Sequence, residues 1–360
     1  MRRCHSCARG AFTLVELLVV IAIIGLLMAM ALPVINMARA RAIQHECGVR
    51  MLQLGQATFQ YELARKQYPG YLNTLVRDDG KPFVHPETGQ QQGVSWVIPL
   101  LNNMDQRNLY KEWTAVPGNG ANPGSTIMRR LDAVICPANA PTEAGTQLCF
   151  VVNSGMQDQP AGGVAGGGQA GGQQNTANLP PPRDFAANGV FFDLYSDRPD
   201  PSKPASRRQT IMSSNYISRA DGLSQTILLT ENVDAGNYTG FTEQELGCIW
   251  APGSVDTSSL PYIVNPAKDE HRINRGHDFG QAKNSNWQSY DYVRPSSFHS
   301  GGVNVVYCDT RLQFLNQDIS YYVYSLLMST NGKQVTQPGQ TQPLKNYGLA
   351  FDPSWAPDGG

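Results

Sequence analysis

The stretch RGAFTLVELLVVIAIIGLLMAMAL, Arg9 to Leu32, decides how this chain is read. From Phe12 to Leu32 it runs for 21 residues with one acid, Glu16, near its start and no basic residue. As an α-helix this run reaches about 32 Å, against a hydrocarbon core of about 30 Å. The pattern predicts a transmembrane helix over 12–32, preceded by a basic leader over 1–11 that holds Arg2, Arg3 and Arg9.

Glu16 is the unusual member. A carboxylate within a membrane helix costs about 2.5–3.5 kcal/mol at the centre, less near an end, and such groups usually have a partner. Cleavage just before Phe12 creates an α-amino group one helical turn away, on the same chain or on a packed neighbour. AFTLVELLVVIAIIGLL resembles the N-terminal cleavage and methylation segment of type IV prepilins and of the pseudopilins of type II secretion. The resemblance implies a prepilin peptidase that cuts on the cytoplasmic side after a small residue and methylates the new first residue. Where that family has Gly followed directly by Phe, this chain reads Gly10, Ala11, Phe12. A cut after Ala11 makes Phe12 first and Glu16 fifth, the family's register, and is the expected one; a cut after Gly10 shifts both by one. The competing reading is an ordinary secretory signal with Ala29-Met30-Ala31 as its cleavage site, but its apolar run is too long and contains an acid. A transmembrane anchor that is never processed is the remaining alternative.

Beyond the membrane segment the helical pattern continues. Pro33 is expected to kink it. Val34 to Tyr68 then contains no proline, and apolar residues recur at Ile43, Cys47, Met51 and Leu54, and at Leu52, Phe59 and Leu63. Tyr68-Pro69-Gly70 ends the pattern. An unbroken helix over 12–68 would be on the order of 85 Å long, so its first half belongs in membrane or among neighbouring subunits.

Residues 69–360 change character, with short apolar runs between Gly, Pro, Asn, Gln and Ser. Strands are expected at Ser95–Leu101, Ala133–Cys136, Leu148–Val152, Gly189–Leu194, Thr226–Thr230, Cys248–Ala251, Val303–Cys308 and Leu312–Leu315, with helices near Asp105–Trp113 and Ser320–Met328. The fold class is α+β: a long pilin-like N-terminal helix, transmembrane then amphipathic, followed by one β-rich domain with long loops. The Gly/Pro tract 159–182 has few apolar groups to offset its ordering entropy and is expected to be a flexible insertion. It lacks the strand and the Lys-bearing helix that a phosphate-cradling loop needs.

The formal net charge is -1 and charged residues make up 16% of the chain, so there is no electrostatic footprint for nucleic acid. Cys4 and Cys7 flank His5 in the leader, and a single CxxC is half a site. Cys47, Cys136, Cys149, Cys248 and Cys308 remain; outside the cytoplasm they could form up to two disulfides, leaving one thiol. Cys47 bonding to Cys136 or to Cys149 would staple the helix to the sheet domain, and spacing does not choose between them.

The second informative stretch is FHSGGVNVVYCDT, Phe298 to Thr310. Alternation through Val303, Val305 and Tyr307, then Leu312 and Phe314 after Asp309-Thr310, describes a β-hairpin with a tight two-residue turn. His299 and Asp309 are separated by nine residues, which resembles the H-X9-DG segment that accompanies a prepilin-type N terminus in the DUF1559 family. The same resemblance runs in order through the helix Leu32 to Tyr61, Ser95-Trp96 to Tyr110, Ile135-Cys136-Pro137, Asn188 to Phe192, and Ala220-Asp221-Gly222 to Glu231. Thr310 stands where the family has Gly, and Thr is poor at positive φ, so a wider turn or a bulge is expected.

A metal reading would join His299 and Asp309 with His271, His277 or Asp278, since imidazole and carboxylate are suitable ligands. The structural reading, which is preferred, makes His299 a strand-start residue and Asp309 a turn residue bonded to its own backbone. Asp221-Gly222 likewise reads as a turn. No GxSxG, HExxH or paired-carboxylate motif is present; Ser213-Ser214 and Ser296-Ser297 read as loop serines, and no enzyme or cofactor is expected. Calcium or another divalent cation at Asp278, Asp291, Asp309 and Asp318 is the one ligand class left open. The expected function is a pilin- or pseudopilin-like protein of the inner membrane, its C-terminal domain outside the cytoplasm, with prepilin peptidase and pilin-like subunits as partners. The alternative is a ligand- or metal-binding surface protein that uses the prepilin segment for export and anchoring.

Overall fold

The computed structural model describes residues 14–84, 91–115, 128–139, 145–156, 185–195, 209–251, 273–274 and 293–335. Contacts divide the chain into two compact units, 1–45 and 46–360. Helix α1 (Leu14–Arg65) contributes to both.

In the first unit, α1 is long and apolar enough to cross a membrane by length and composition. Every side chain from Leu14 to Met30 is exposed. Hydrogen-bonded helix continues on both sides of Pro33, and Glu16 lies in the first turn.

The second unit is α+β. Its main sheet has the order β5-β3-β4-β6-β7, built from β3 (Phe150–Met156), β4 (Ile227–Glu231), β5 (Gly247–Ala251), β6 (Gly302–Tyr307) and β7 (Leu312–Asn316). β3 and β5 pair in parallel; the other neighbours are antiparallel. The interior strands β3, β4 and β6 are buried along their whole length, polar members such as Asn153, Glu231 and Asn304 included, while edge strand β7 is half exposed. A two-stranded ribbon, β1 (Leu72–Asn73) with β2 (Val94–Ser95), lies apart from this sheet.

From Glu46 onward, α1 buries Cys47, Met51, Leu54, Thr58 and Glu62, one helical face. Gly48 and Gly55 let that face lie flush on the sheet: a Cβ at these positions would stand 2.8 Å from Leu312 Cδ2 and 2.7 Å from Val306 Cγ1. Each fully buried side chain such as Leu54 contributes about 1.5–3 kcal/mol by leaving water. The other expected stripe is not core: Phe59 is 40% and Leu63 50% exposed. The helix also stops at Arg65 rather than Tyr68, because Lys66 turns to φ 59°.

Strands β4, β5, β6 and β7 and helices α3 (Arg107–Thr114) and α6 (Tyr321–Met328) lie close to where the sequence places them. Three expected strands are not formed. Ser95–Leu101 pairs only through Ser95 and then turns into α2 (Val97–Leu100) and a 3-10 turn. A run buried at every position but Pro99 has no alternation to mark its period, and Pro99 is tolerated in a first helical turn, where its missing N–H has no partner to lose. Of Ala133–Cys136, the first two residues lie in a 3-10 turn, Asp132–Val134, and Ile135-Cys136 follow it as loop. Gly189–Leu194 forms no strand: the N–H groups of Val190 and Phe191 both reach the Asn153 carbonyl, and Asp193 makes only an isolated parallel bridge to Leu72 of β1. Besides α2, two further short helices stand where the sequence leads one to expect none. In α4 (Ser214–Arg219), Ser213 is the N-cap and accepts from the Tyr216 N–H, so it is no ordinary loop serine. In α5 (Glu243–Leu246), the Glu245 carboxylate accepts from the N–H and hydroxyl of Thr242, the T-x-x-E capping pattern.

The β6–β7 hairpin closes through three residues, Cys308-Asp309-Thr310, rather than two. The Tyr307 N–H donates to the Arg311 carbonyl and the Thr310 N–H to the Tyr307 carbonyl, with Thr310 at φ 65°. This is the wider turn that the sequence leads one to expect, and a β-branched residue sits at its left-handed position.

Candidate functional site

Four chemistry-bearing side chains converge between α1 and the sheet: Cys47 from the helix, Cys136 from the loop after the 3-10 turn, Glu231 from the end of β4, and His299 just ahead of β6. Their ligating atoms all lie within 4.8 Å of one another. All four are buried, with exposures of 0% for Cys47, 4% for Cys136, 2% for Glu231 and 7% for His299.

Each is positioned by its neighbours. Arg50, one turn after Cys47, donates from Nη1 to the carbonyls of Asp132 at 2.9 Å and Ile135 at 3.0 Å, so the loop carrying Cys136 is clamped to the helix. Cys47 and Cys136 form a disulfide across 89 residues of sequence. His299 Nε2 stands 3.1 Å from Glu231 Oε1 and 3.6 Å from Cys136 Sγ. The Glu231 carboxylate also accepts the Asn304 backbone N–H at 2.8 Å and the Asn304 Nδ2 at 3.0 Å. The His299 N–H donates to Ser297 Oγ at 3.1 Å, and that hydroxyl donates to the Gly302 carbonyl at 2.7 Å. Ser296 and Ser297 are therefore buried fixtures of this site, not loose loop residues.

A buried carboxylate holding a buried imidazole satisfies both groups. Beside them, two cysteine sulfurs complete a donor set of S, S, N and O. The remaining thiols have another character. Among the described residues, Cys149, Cys248 and Cys308 are buried cysteines that lie outside the disulfide. Burial pushes the Cys248 thiol up to about 12 and the Cys308 thiol up as well, with Asp309 adding repulsion to the latter. Neither is poised as a thiolate nucleophile.

His299 thus has a site, but not the expected one. Asp309 is far along the chain of β6, whose six residues span roughly 20 Å. It accepts the Arg311 N–H at 3.0 Å as a turn residue. Asp221 is also a turn residue, accepting the Gly332 N–H, with Gly222 following at φ 97°. Asp318 follows β7, its N–H bonded to Asn316 Oδ1. Asp278, Asp291, His271 and His277 lie outside the described residues, as do Gly10, Ala11, Phe12 and the tract 159–182. Sequence reasoning missed Glu231 and Asn304 as partners of His299. The available signal was one acid closing the apolar strand ILLTE.

The model of the family described as "Protein of unknown function (DUF1559)" matches residues 37–320, well over half of the chain. The chain belongs to the DUF1559 family. The four residues of the buried cluster all fall within that match. The model of the prokaryotic N-terminal methylation motif matches residues 7–32, which marks this DUF1559 member as a type IV pilin-like chain of the kind that prepilin peptidase processes. No curated protein and no solved structure matches it.

Proposed function

We propose that this DUF1559 protein is a pilin-like or pseudopilin-like subunit of the cell envelope. Prepilin peptidase removes residues 1–11 and methylates Phe12, leaving Glu16 as the fifth residue. The apolar start of α1 then holds the chain in the inner membrane in a single pass, with the β-rich domain outside the cytoplasm. Packing of that helix against pilin-like subunits brings Glu16 of one chain near the amine of Phe12 on the same chain or a neighbour.

The observation that carries this reading is the bare apolar helix. From Leu14 to Met30 no side chain is buried by the protein itself, although burying a Leu or Ile is worth about 1.5–3 kcal/mol. Such a surface calls for lipid or neighbouring helices. The Cys47–Cys136 disulfide supports an oxidising location for the domain.

Intact-mass and N-terminal analysis of the native protein extracted from membranes tests the reading. A chain starting at N-methylated Phe12 is expected, with the leader retained in cells lacking prepilin peptidase. A chain starting at Met1 or Leu32 in cells that have the peptidase would overturn it.

A further inference from the structure

The geometry points to a second chemical state for the buried cluster: a tetrahedral zinc site formed by Cys47, Cys136, His299 and Glu231 when the disulfide is reduced. Zinc takes four ligands, with Zn–S of about 2.3 Å and Zn–N or Zn–O of about 2.0–2.2 Å. Around a tetrahedral centre those lengths give an S···N edge of about 3.6 Å and an N···O edge of about 3.4 Å. The structure holds Cys136 Sγ and His299 Nε2 at 3.6 Å, and His299 Nε2 and Glu231 Oε1 at 3.1 Å. Two edges of the tetrahedron are therefore near their required lengths before any metal enters. Breaking the sulfur–sulfur bond lets the two sulfurs separate and turns one closed bond into two ligands.

The outer contacts suit a metal as well. Glu231 is oriented by two hydrogen bonds from Asn304, the kind of support that fixes a ligating carboxylate. Arg50 holds the Cys136 loop against α1 through backbone carbonyls, so the loop stays in place after the disulfide opens. The donor set favours zinc over calcium, which takes oxygen ligands in larger number.

The two states interconvert by a balanced exchange. A reductant of the dithiol class gives two electrons and two protons to the disulfide and becomes a disulfide itself. Zn²⁺ then replaces the two thiol protons, which go to solvent. In the reverse direction a disulfide-bearing oxidant accepts two electrons from the thiolates, the Cys47–Cys136 bond forms, and zinc leaves with His299 and Glu231 still paired. The site is thus occupied by metal or closed by a disulfide, never both.

The test uses the full chain in detergent, with Cys4→Ser and Cys7→Ser to silence the leader thiols, handled without oxygen. After reduction by a phosphine that does not bind the metal, one Co²⁺ per chain is expected, with a thiolate-to-metal charge-transfer band and tetrahedral visible bands. Zn²⁺ should displace it, and the oxidised protein should show neither band. His299→Gln should weaken binding by at least about tenfold, the scale on which even supporting residues act, while still forming the disulfide under oxidising conditions. X-ray absorption of the zinc-loaded parent chain reads the ligands without any variant: two sulfur and two nitrogen or oxygen neighbours are expected. Absence of the charge-transfer band, equal binding by the oxidised protein, indifference to His299→Gln, or any other sulfur count would overturn the proposal.

Discussion

The Glu62 carboxylate, buried in the last turn of α1, accepts both the backbone N–H of Ser214 at 3.2 Å and its hydroxyl at 2.7 Å. One acid thereby joins the long helix to the start of α4, where the first N–H groups have no helical partner of their own. Glu62→Ala strands both donors and should lower unfolding stability by about 1–3 kcal/mol. Glu62→Gln keeps an accepting oxygen and should lose less. Urea denaturation of the two variants beside the parent chain decides the ranking.

Gly55 presents two opposed effects. Alanine in a helix interior gains about 1 kcal/mol over glycine, but here a Cβ would stand 2.7 Å from Val306 Cγ1 on the sheet. Overpacking of this kind costs about 1–3 kcal/mol, so Gly55→Ala should be destabilising in net and Gly55→Leu more so. At Gly25, where nothing lies within 4 Å, alanine meets no such obstacle within the chain. Melting temperatures of the Gly55 variants check the sign.

Thr310 holds φ 65° at the tip of the β6–β7 hairpin. A left-handed backbone costs a residue with a Cβ about 1–2 kcal/mol, and glycine adopts it freely. Thr310→Gly should therefore stabilise the domain by about 1 kcal/mol, the reverse of what glycine does in an ordinary strand. Chemical denaturation reads this directly. A lower midpoint would mean that the threonine side chain is worth more at this turn than the backbone relief.

Alkaline pH should weaken the fold. Burial raises the ionisation of Cys248 to about 12, and burial likewise raises Cys308 and Tyr68. A group whose folded value lies above its unfolded one, near 8.5 for a thiol, contributes fully below that unfolded value. Its contribution is lost as pH rises toward the folded value. Stability should decline between about pH 9 and 12, and Cys248→Ala should flatten part of that decline. A pH series of urea midpoints for both chains measures it.

The legible part of this protein was whatever carries a local period. The apolar run after Phe12 and the stripe Cys47-Met51-Leu54 announce their elements because one solvent or one face decides their composition; the alternation in Val303-Asn304-Val305 announces a strand as well, although there the polar member is a buried partner of Glu231. Illegible were the elements set by context. Trp96 to Leu101 is buried at every position but Pro99, so its helix and a strand look alike in sequence. The partnership of His299 is equally hidden: Glu231 and Cys136 are 68 and 163 residues away, and only the folded sheet brings them together. Cysteine identity could nominate Cys47 and Cys136 as one pairing among several, but the Arg50 clamp that favours it exists only in three dimensions.

The Cys47–Cys136 bond closes a covalent ring that contains β1, β2, α2 and α3 and leaves the whole five-stranded sheet outside it. A protease that cuts the backbone once inside that ring separates nothing: the halves remain one molecule and migrate as one species until a reductant is added. A single cut after Cys136 leaves two fragments with no covalent link, which part under denaturing conditions without any reductant. The electrophoretic pattern of a nicked preparation, run with and without reductant, therefore reports which side of the ring was cut and whether the bond is closed in that sample.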